Sequence, residues 1–145
     1  MKSANIVLVT IALALAGLPV SLYLLTVHWG WWTAVCLGVG NCEVVNTSIY
    51  SELLGIPVAL LGALTYISLM VLGALIWKNV FAEYARLARF FIAAIGVTFS
   101  AYLTYIELFV LHEICPWCVL SAILITLIAI LSVWELRTPA SEFET

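Results

Sequence analysis

The sequence predicts an all-α integral membrane protein: a bundle of four transmembrane helices, capped on one side by an outer loop and a short interfacial helix. Three observations predict this fold class. The 145 residues are 66% hydrophobic and only 9% charged, whereas about 25% of residues are charged in an ordinary soluble domain. Long stretches contain no charged residue at all, and the few basic residues are confined to three short regions.

The composition also excludes several classes of protein. Five basic and eight acidic side chains are too few to cover the surface of a soluble enzyme of this length. A net charge of −3 offers no basic surface for a phosphate backbone, so no nucleic-acid partner is expected. The length allows one domain, residues 1–145.

Four spans are expected, at about residues 5–27, 56–77, 88–111 and 115–134. Each is long enough for a helix to cross a hydrocarbon core of about 30 Å. Helices follow because a single span must satisfy its own backbone polar groups. The first span could instead be a cleaved signal peptide, but its apolar run continues to Val27, beyond a normal signal core. The segment 138–145 is expected to be a short polar tail.

The basic residues predict the orientation of the bundle. An even number of spans places three regions on one side: the N-terminus, the connection between spans 2 and 3, and the segment after span 4. These regions hold all five basic residues, which are Lys2, Lys78, Arg86, Arg89 and Arg137. The positive-inside rule makes this side cytoplasmic. We therefore expect a multi-pass cell-membrane protein with both termini in the cytoplasm and the loop 28–55 outside.

All four cysteines fall on the predicted outer side, where disulfides form and persist. Cys36 and Cys42 lie in the outer loop, whereas Cys115 and Cys118 open span 4 in the sequence Cys-Pro-Trp-Cys. The C-x-x-C spacing is typical of redox-active dithiols. Pro116 suits the first position of a helix, which places Cys115 where the helix dipole favours a thiolate.

Other interpretations of the cysteines remain open at this point. They could form two structural disulfides in a non-enzymatic membrane scaffold, bind zinc, or be inert buried thiols. None of these explains a proline-containing C-x-x-C at the start of a spanning helix, and no metal site is predicted. A carrier of electrons from a cytoplasmic donor would need cysteines on the inner side as well.

The complete layout resembles the bacterial and archaeal branch of the vitamin K epoxide reductase family. The resemblance covers nearly the whole chain and depends on the order of its motifs. These are Cys36-x5-Cys42, Ser48, Gly55-Ile56-Pro57, Tyr102-Leu103, Glu107 and Cys115-Pro116-Trp117-Cys118. Another bacterial family of four-helix, quinone-linked disulfide formers has its C-x-x-C in the first outer loop, so the order there is reversed.

The resemblance implies a quinone-dependent, disulfide-forming oxidoreductase. Cys36 would receive electrons from a reduced thioredoxin-fold protein, Cys42 would relay them to Cys115, and Cys118 would react with a quinone from the membrane pool. The partner would be a separate protein, since only a short segment follows Trp134. Animal members have a Tyr where this chain has Ala122, which favours a menaquinone or ubiquinone over vitamin K epoxide.

Further site residues are expected near the thiols. Residues 43–54 predict one amphipathic helix with Val45, Ile49 and Leu53 on one face, and its Ser48 hydroxyl is expected to act beside the thiols. An ionisable Glu107 within a span is a candidate for proton transfer during quinone reduction. The side chains expected to line the quinone cavity with it are Leu61, Tyr66, Phe99 and Tyr102.

Overall fold

The structure is a computed structural model that describes residues 2–138. It contains five α-helices: α1 (Ser3–His28), α2 (Cys42–Thr47), α3 (Val58–Trp77), α4 (Ala82–Ile106) and α5 (Pro116–Arg137). A 3-10 turn (Ile49–Ser51) and an antiparallel hairpin of β1 (Glu52–Leu53) and β2 (Ile56–Pro57) follow α2. A π-helical segment, Glu107–Leu111, extends α4. The predicted tail lies outside the described residues beyond position 138.

The predicted fold class is confirmed. Within residues 2–138, four segments are long and apolar enough to cross a membrane: Ser3–His28, Val58–Trp77, Ala82–Leu111 and Pro116–Arg137. The third helix begins six residues before the predicted boundary at position 88, so Arg86 lies inside it together with Arg89. The helix can include them because both side chains are buried against an acidic partner.

The four long helices form a ring in which α1 contacts α3 and α5, and α4 contacts the same two helices. Their shared core contains Ala14, Tyr66, Leu69, Ala93, Ile125 and Ile128. A Cβ atom at Gly17 would overlap the ring of Tyr66. This glycine therefore lets α1 and α3 approach closely, as small residues do in membrane bundles.

The segment 42–57, which we call the cap, lies over one end of the bundle. The prediction of a single helix over 43–54 was wrong, because α2 ends at Thr47 and Ile49 is 84% exposed. The Ser48 hydroxyl donates to the carbonyl oxygen of Val45 at 2.8 Å, and Ser48 itself is extended. Such local side-chain bonds compete with helix continuation.

The opposite end of the bundle contains buried charges. Arg89 forms an ion pair with Glu135 of α5, and its Nη1 donates to the Thr10 hydroxyl of α1 at 2.8 Å. The Nε atom of Arg86 lies 3.8 Å from Oε1 of Glu135. Both Arg89 and Glu135 are almost completely inaccessible. These contacts join three helices at the end farthest from the cysteines.

Candidate redox site

The four cysteines meet at the capped end of the bundle. Cys36 and Cys42 form a disulfide, which we call the loop pair, while Cys115 and Cys118 are free thiols and form the helix pair. Cys42 and Cys115 are both 0% exposed and belong to one apolar cluster, with Cys36 and Cys118 packed against it. Residues that are distant in sequence thus form a single sulfur centre.

The helix pair is held by the first turn of α5. Cys115 precedes the helix, and its Sγ accepts a hydrogen bond at 3.4 Å from the backbone N–H of Cys118. Pro116 occupies the first helical position, where a missing N–H leaves no bond unmade. A hydrogen bond from the Cys118 side chain lowers the pKa of the Cys115 thiol, against the opposing effect of burial. The position of Cys115 at a helix N-terminus also favours its thiolate.

A cavity of about 520 Å³ lies beneath the cap, between the long helices. Cys118 is in its wall, whereas the other three cysteines are not. Most of the wall is apolar, and the volume is typical of small-molecule sites. The predicted site residues in the wall are Ser48, Leu61, Tyr66, Phe99 and Glu107.

Tyr102 lies outside this cavity. Its side chain is 50% exposed and borders a shallow surface groove beside Phe99, with the two ring centroids 6.2 Å apart. Successive residues of a helix are about 100° apart, so Tyr102 lies a quarter-turn or more around α4 from its neighbour Leu103, which lines the cavity, while Phe99 borders both the cavity and the groove. The sequence spacing alone did not reveal which side of α4 faces inward.

Glu107 connects the helix pair to the cavity. It begins the π-helical segment, is only 4% exposed, and lines the cavity. Its Oε2 accepts a hydrogen bond from the backbone N–H of Cys115 at 3.3 Å, and its carboxyl group also hydrogen-bonds to the Cys118 side chain. Single π-helical turns are frequent at functional sites, and this one places a carboxyl group against the backbone of Cys115 and the thiol of Cys118.

Two residues of the cavity wall, Ser48 and Tyr66, have hydroxyl groups with different hydrogen-bond partners. The Ser48 hydroxyl donates to Val45 within the cap rather than to a sulfur atom. The Tyr66 hydroxyl lies 2.9 Å from the hydroxyl of Ser121, three residues after Cys118. Tyr66 and Ser121 therefore place a polar pair one helical turn from Cys118.

Several residues that fix the site were not identified from the sequence. The Asn46 side chain donates to the Leu24 carbonyl oxygen at 2.5 Å, and the backbone carbonyl oxygen of Asn46 lies 2.8 Å from Nδ1 of His28. The Nε2 atom of His28 lies 3.1 Å from Oε1 of Glu52. These bonds attach the cap to the end of α1. No sequence motif signals them, because they depend on a tertiary contact between short polar side chains and a helix terminus.

The arrangement brings together two cysteine pairs and an apolar cavity that borders only one of them. Such an arrangement can exchange two electrons between the pairs by thiolate attack on a disulfide. Across residues 2–138, no group of three or more His, Cys, Asp or Glu side chains is placed to hold a metal ion. The residues gathered at this site are thiols beside a cavity that can hold a ligand.

Comparison with known families agrees with this geometry. The chain matches the profile of the Vitamin K epoxide reductase family over residues 8–133. The matched region contains α3 and α4 completely and all of α1 and α5 except their terminal residues, together with the cap, both cysteine pairs and the cavity. The resemblance noted in the sequence is confirmed, and the protein belongs to the vitamin K epoxide reductase family as a membrane disulfide oxidoreductase.

Proposed function

We propose that the protein transfers electrons from a reduced thioredoxin-fold protein, through the loop pair and then the helix pair, to a quinone. It would thereby generate disulfides for secreted proteins. The observation that carries the proposal is the order of the sulfur atoms. Cys42 and Cys115 share one buried cluster, and Cys118 alone among the cysteines borders the cavity.

Electrons enter at Cys36. It is the partly accessible member of the loop pair, whereas Cys42 is completely buried. A partner thiolate attacks Cys36 and breaks the Cys36–Cys42 bond, which releases Cys42 as a thiolate. The second cysteine of the partner then displaces Cys36. The partner leaves oxidised and the loop pair is left as a dithiol.

The relay moves the electrons inward. The Cys42 thiolate attacks Cys115 of an oxidised helix pair, and Cys118 leaves as a thiolate. Cys36 then attacks Cys42, which restores the loop disulfide and releases Cys115. Two electrons have passed to the helix pair. Two protons have passed as well, because the loop pair has lost two thiols and the helix pair has gained two.

A bound quinone supplies an acceptor for two electrons and two protons. The apolar wall and the volume of the cavity fit the ring of a menaquinone or ubiquinone. Cys118 presents its sulfur to this space, and Cys115 closes the helix-pair disulfide as the electrons leave. Glu107, which is hydrogen-bonded to Cys118, can hold the proton that leaves the thiol.

The outer side of the membrane is where we place the cysteines. The basic residues Lys78, Arg86, Arg89 and Arg137 belong to the ends of the helices farthest from the cysteines. Because basic residues are retained in the cytoplasm, both termini would lie there. The thioredoxin-fold partner and its substrates would then act in the oxidising compartment.

Quinone reduction by the purified protein tests the proposal. With a reduced thioredoxin-fold donor and a short-chain ubiquinone or menadione as probe, we expect the donor to become oxidised as quinol forms. Cys118→Ala should abolish quinol formation while Cys36 and Cys42 still exchange with the donor. Continued quinol formation at the normal rate would remove Cys118 from the role assigned here. A scaffold with structural disulfides would neither reduce the quinone nor exchange with the donor.

A further inference from the structure

Residue Val35, which precedes Cys36, is held by side chains from two different helices. Its backbone N–H donates to the hydroxyl oxygen of Tyr23 of α1 at 2.9 Å, and its carbonyl oxygen accepts from Nε1 of Trp117 at 2.7 Å. The rings of Tyr23 and Trp117 also contact each other, with centroids 5.2 Å apart. Both hydrogen-bonding groups of one loop residue are thus fixed, although Val35 itself is 60% exposed.

Gly40 makes a second contact, on the other side of the loop. Its φ angle is +69°, and a Cβ atom there would overlap the carbonyl oxygen of Ile114, the residue before Cys115. Gly38 has a similar φ angle of +78°, but a Cβ atom at Gly38 would have no neighbouring atom within 4 Å. The two glycines therefore share the same backbone requirement, and of the two only Gly40 packs closely against the residue that precedes the helix pair.

We propose that Tyr23, Trp117 and Gly40 are positioning residues that seat the loop pair on the helix pair, so that Cys42 is aligned to attack Cys115. This inference rests on the relay in the proposed function and adds the residues that make the relay possible. Trp117 lies between the two cysteines of the helix pair, so one short motif supplies both the acceptor disulfide and a contact that holds the donor.

The chemistry explains why the loop pair must be held in a fixed position on the helix pair, an arrangement that we call the seat. The Cys42 thiolate must approach Cys115 along the Cys115–Cys118 bond as that bond breaks. Holding reacting groups in place raises their effective concentration, and a displacement of about 1 Å can lower a rate roughly a hundredfold. A loop with two glycines at positive φ would not hold this alignment by itself. The contacts at Val35 and Gly40 constrain it at both ends of the Cys36–Cys42 segment.

The seat can be measured without a quinone or a partner. In a Cys36→Ala/Cys118→Ala chain, Cys42 and Cys115 are left to form one disulfide, with glutathione disulfide as the oxidant and two glutathiones as the reduced product. The equilibrium constant in a glutathione buffer reports the effective concentration of the two thiols. We expect Gly40→Ala to lower this constant roughly a hundredfold. Gly38→Ala, the matched control for backbone strain, should stay within about threefold of the parent.

Two further variants test the hydrogen bonds to Val35. Tyr23→Phe removes the hydroxyl but keeps the ring, and Trp117→Phe removes the indole N–H. Each should lower the same constant roughly threefold to tenfold, which is the range for one hydrogen bond. Tyr84→Phe, at a residue that is 75% exposed, is the control for loss of a tyrosine hydroxyl and should change nothing.

Quinone assays separate the seat from general damage to the fold. With all four cysteines present, Gly40→Ala should slow turnover driven by a thioredoxin-fold donor. Turnover driven by dithiothreitol should stay near that of the wild type, because this small reductant needs no loop pair and can approach Cys118 through the cavity that this thiol borders. An unchanged equilibrium constant in Gly40→Ala would overturn the proposed role of Gly40 in positioning the loop pair. An equal decrease of the constant in Gly38→Ala would overturn it as well. Absence of quinone reduction in the wild type would instead overturn the proposed function, while the glutathione measurement would still decide the seat.

Discussion

Close packing of Tyr66 against Gly17 determines the shape of the cavity. Tyr66 can lie flat against α1 only because residue 17 has no side chain, and from that position its hydroxyl reaches Ser121. The ring forms part of the cavity wall and of the bundle core at the same time. A residue far from every cysteine in the sequence thus sets the surface that a ligand meets beside Cys118.

Gly17→Ala should displace the Tyr66 ring into the cavity. We expect the KM for quinone to rise, and the free energy of unfolding to fall by about 1–3 kcal/mol, as for other overpacked cores. Steady-state kinetics and thermal denaturation in detergent measure the two effects. Tyr66→Phe is the companion variant, because it removes the bond to Ser121 while the ring stays in place. An unchanged KM in Gly17→Ala would mean that the ring does not limit access to the site.

At the scale of the elements, the cap is attached to the bundle by polar contacts as well as by Cys42 and Val45. Asn46 bonds to the end of α1 through its side chain, and His28 bonds back to the cap through both ring nitrogens. The cap forms part of the roof of the cavity. Its attachment therefore influences both the position of Cys42 and the closure of the ligand site.

Asn46→Ala should loosen the cap without unfolding the bundle. Removal of a buried hydrogen-bonding side chain costs about 1–3 kcal/mol, so amide hydrogens of residues 42–53 should exchange faster, while those of α3 and α5 stay protected. Hydrogen exchange measured by mass spectrometry resolves these segments. Thr47→Ala is the control, since the Thr47 hydroxyl bonds only within α2. Equal exchange in the two variants would contradict the attachment through Asn46.

The sequence predicted the long helices well and the cap poorly, for a physical reason. A span is dictated by the absence of charge over about 20 residues, which a sequence displays directly. The cap is short, and its conformation depends on bonds such as Ser48 to Val45 and Asn46 to Leu24. Periodicity suggested one helix there because Val45 and Ile49 are spaced by four, yet only Val45 is buried.

The candidate site was likewise predictable from the sequence only in part. The positions of four cysteines relative to the spans could be inferred from charge and spacing. The inward face of α4 could not be inferred in this way, because the helix has apolar residues on all sides and because Tyr102 and Phe99 are both aromatic. The roles of Gly40 and Trp117 also required the folded chain, since each acts on a residue more than 70 positions away.

Across the whole molecule, the basic residues and the thiols are segregated to opposite ends of one bundle. If the basic end faces the cytoplasm, a cysteine-free variant with a single new thiol at Asn79 should react with a membrane-impermeant maleimide only after the cells are opened. Asn79 lies in the short connection between α3 and α4. A second variant with only Cys36 should react in intact cells. Labelling of Asn79→Cys from outside would reverse the orientation.

The buried ion pair should stabilise the end of the bundle farthest from the cysteines only while both partners are present. Glu135→Leu leaves the Arg89 guanidinium buried without this carboxylate, and breaking a buried pair from one side costs roughly 3–5 kcal/mol. Arg89→Met combined with Glu135→Leu should recover much of that loss, since an apolar replacement of a buried pair is often neutral. Thermal denaturation of the three proteins measures this, and additive losses in the double variant would contradict the pairing.

The Arg89–Glu135 pair also has a consequence for the insertion of the protein into the membrane. The helices are synthesised in chain order, so Arg89 enters with α4 before Glu135 has been made. A buried arginine opposes membrane insertion, by roughly 2.5–3.5 kcal/mol at the centre of the bilayer and by less towards its edges. Until α5 arrives, α4 is therefore the helix most easily withdrawn from the lipid or held at the translocation channel. The same helix, α5, carries the helix pair at its other end, so the step that completes the charge balance of the bundle also delivers the thiols to the opposite face of the membrane.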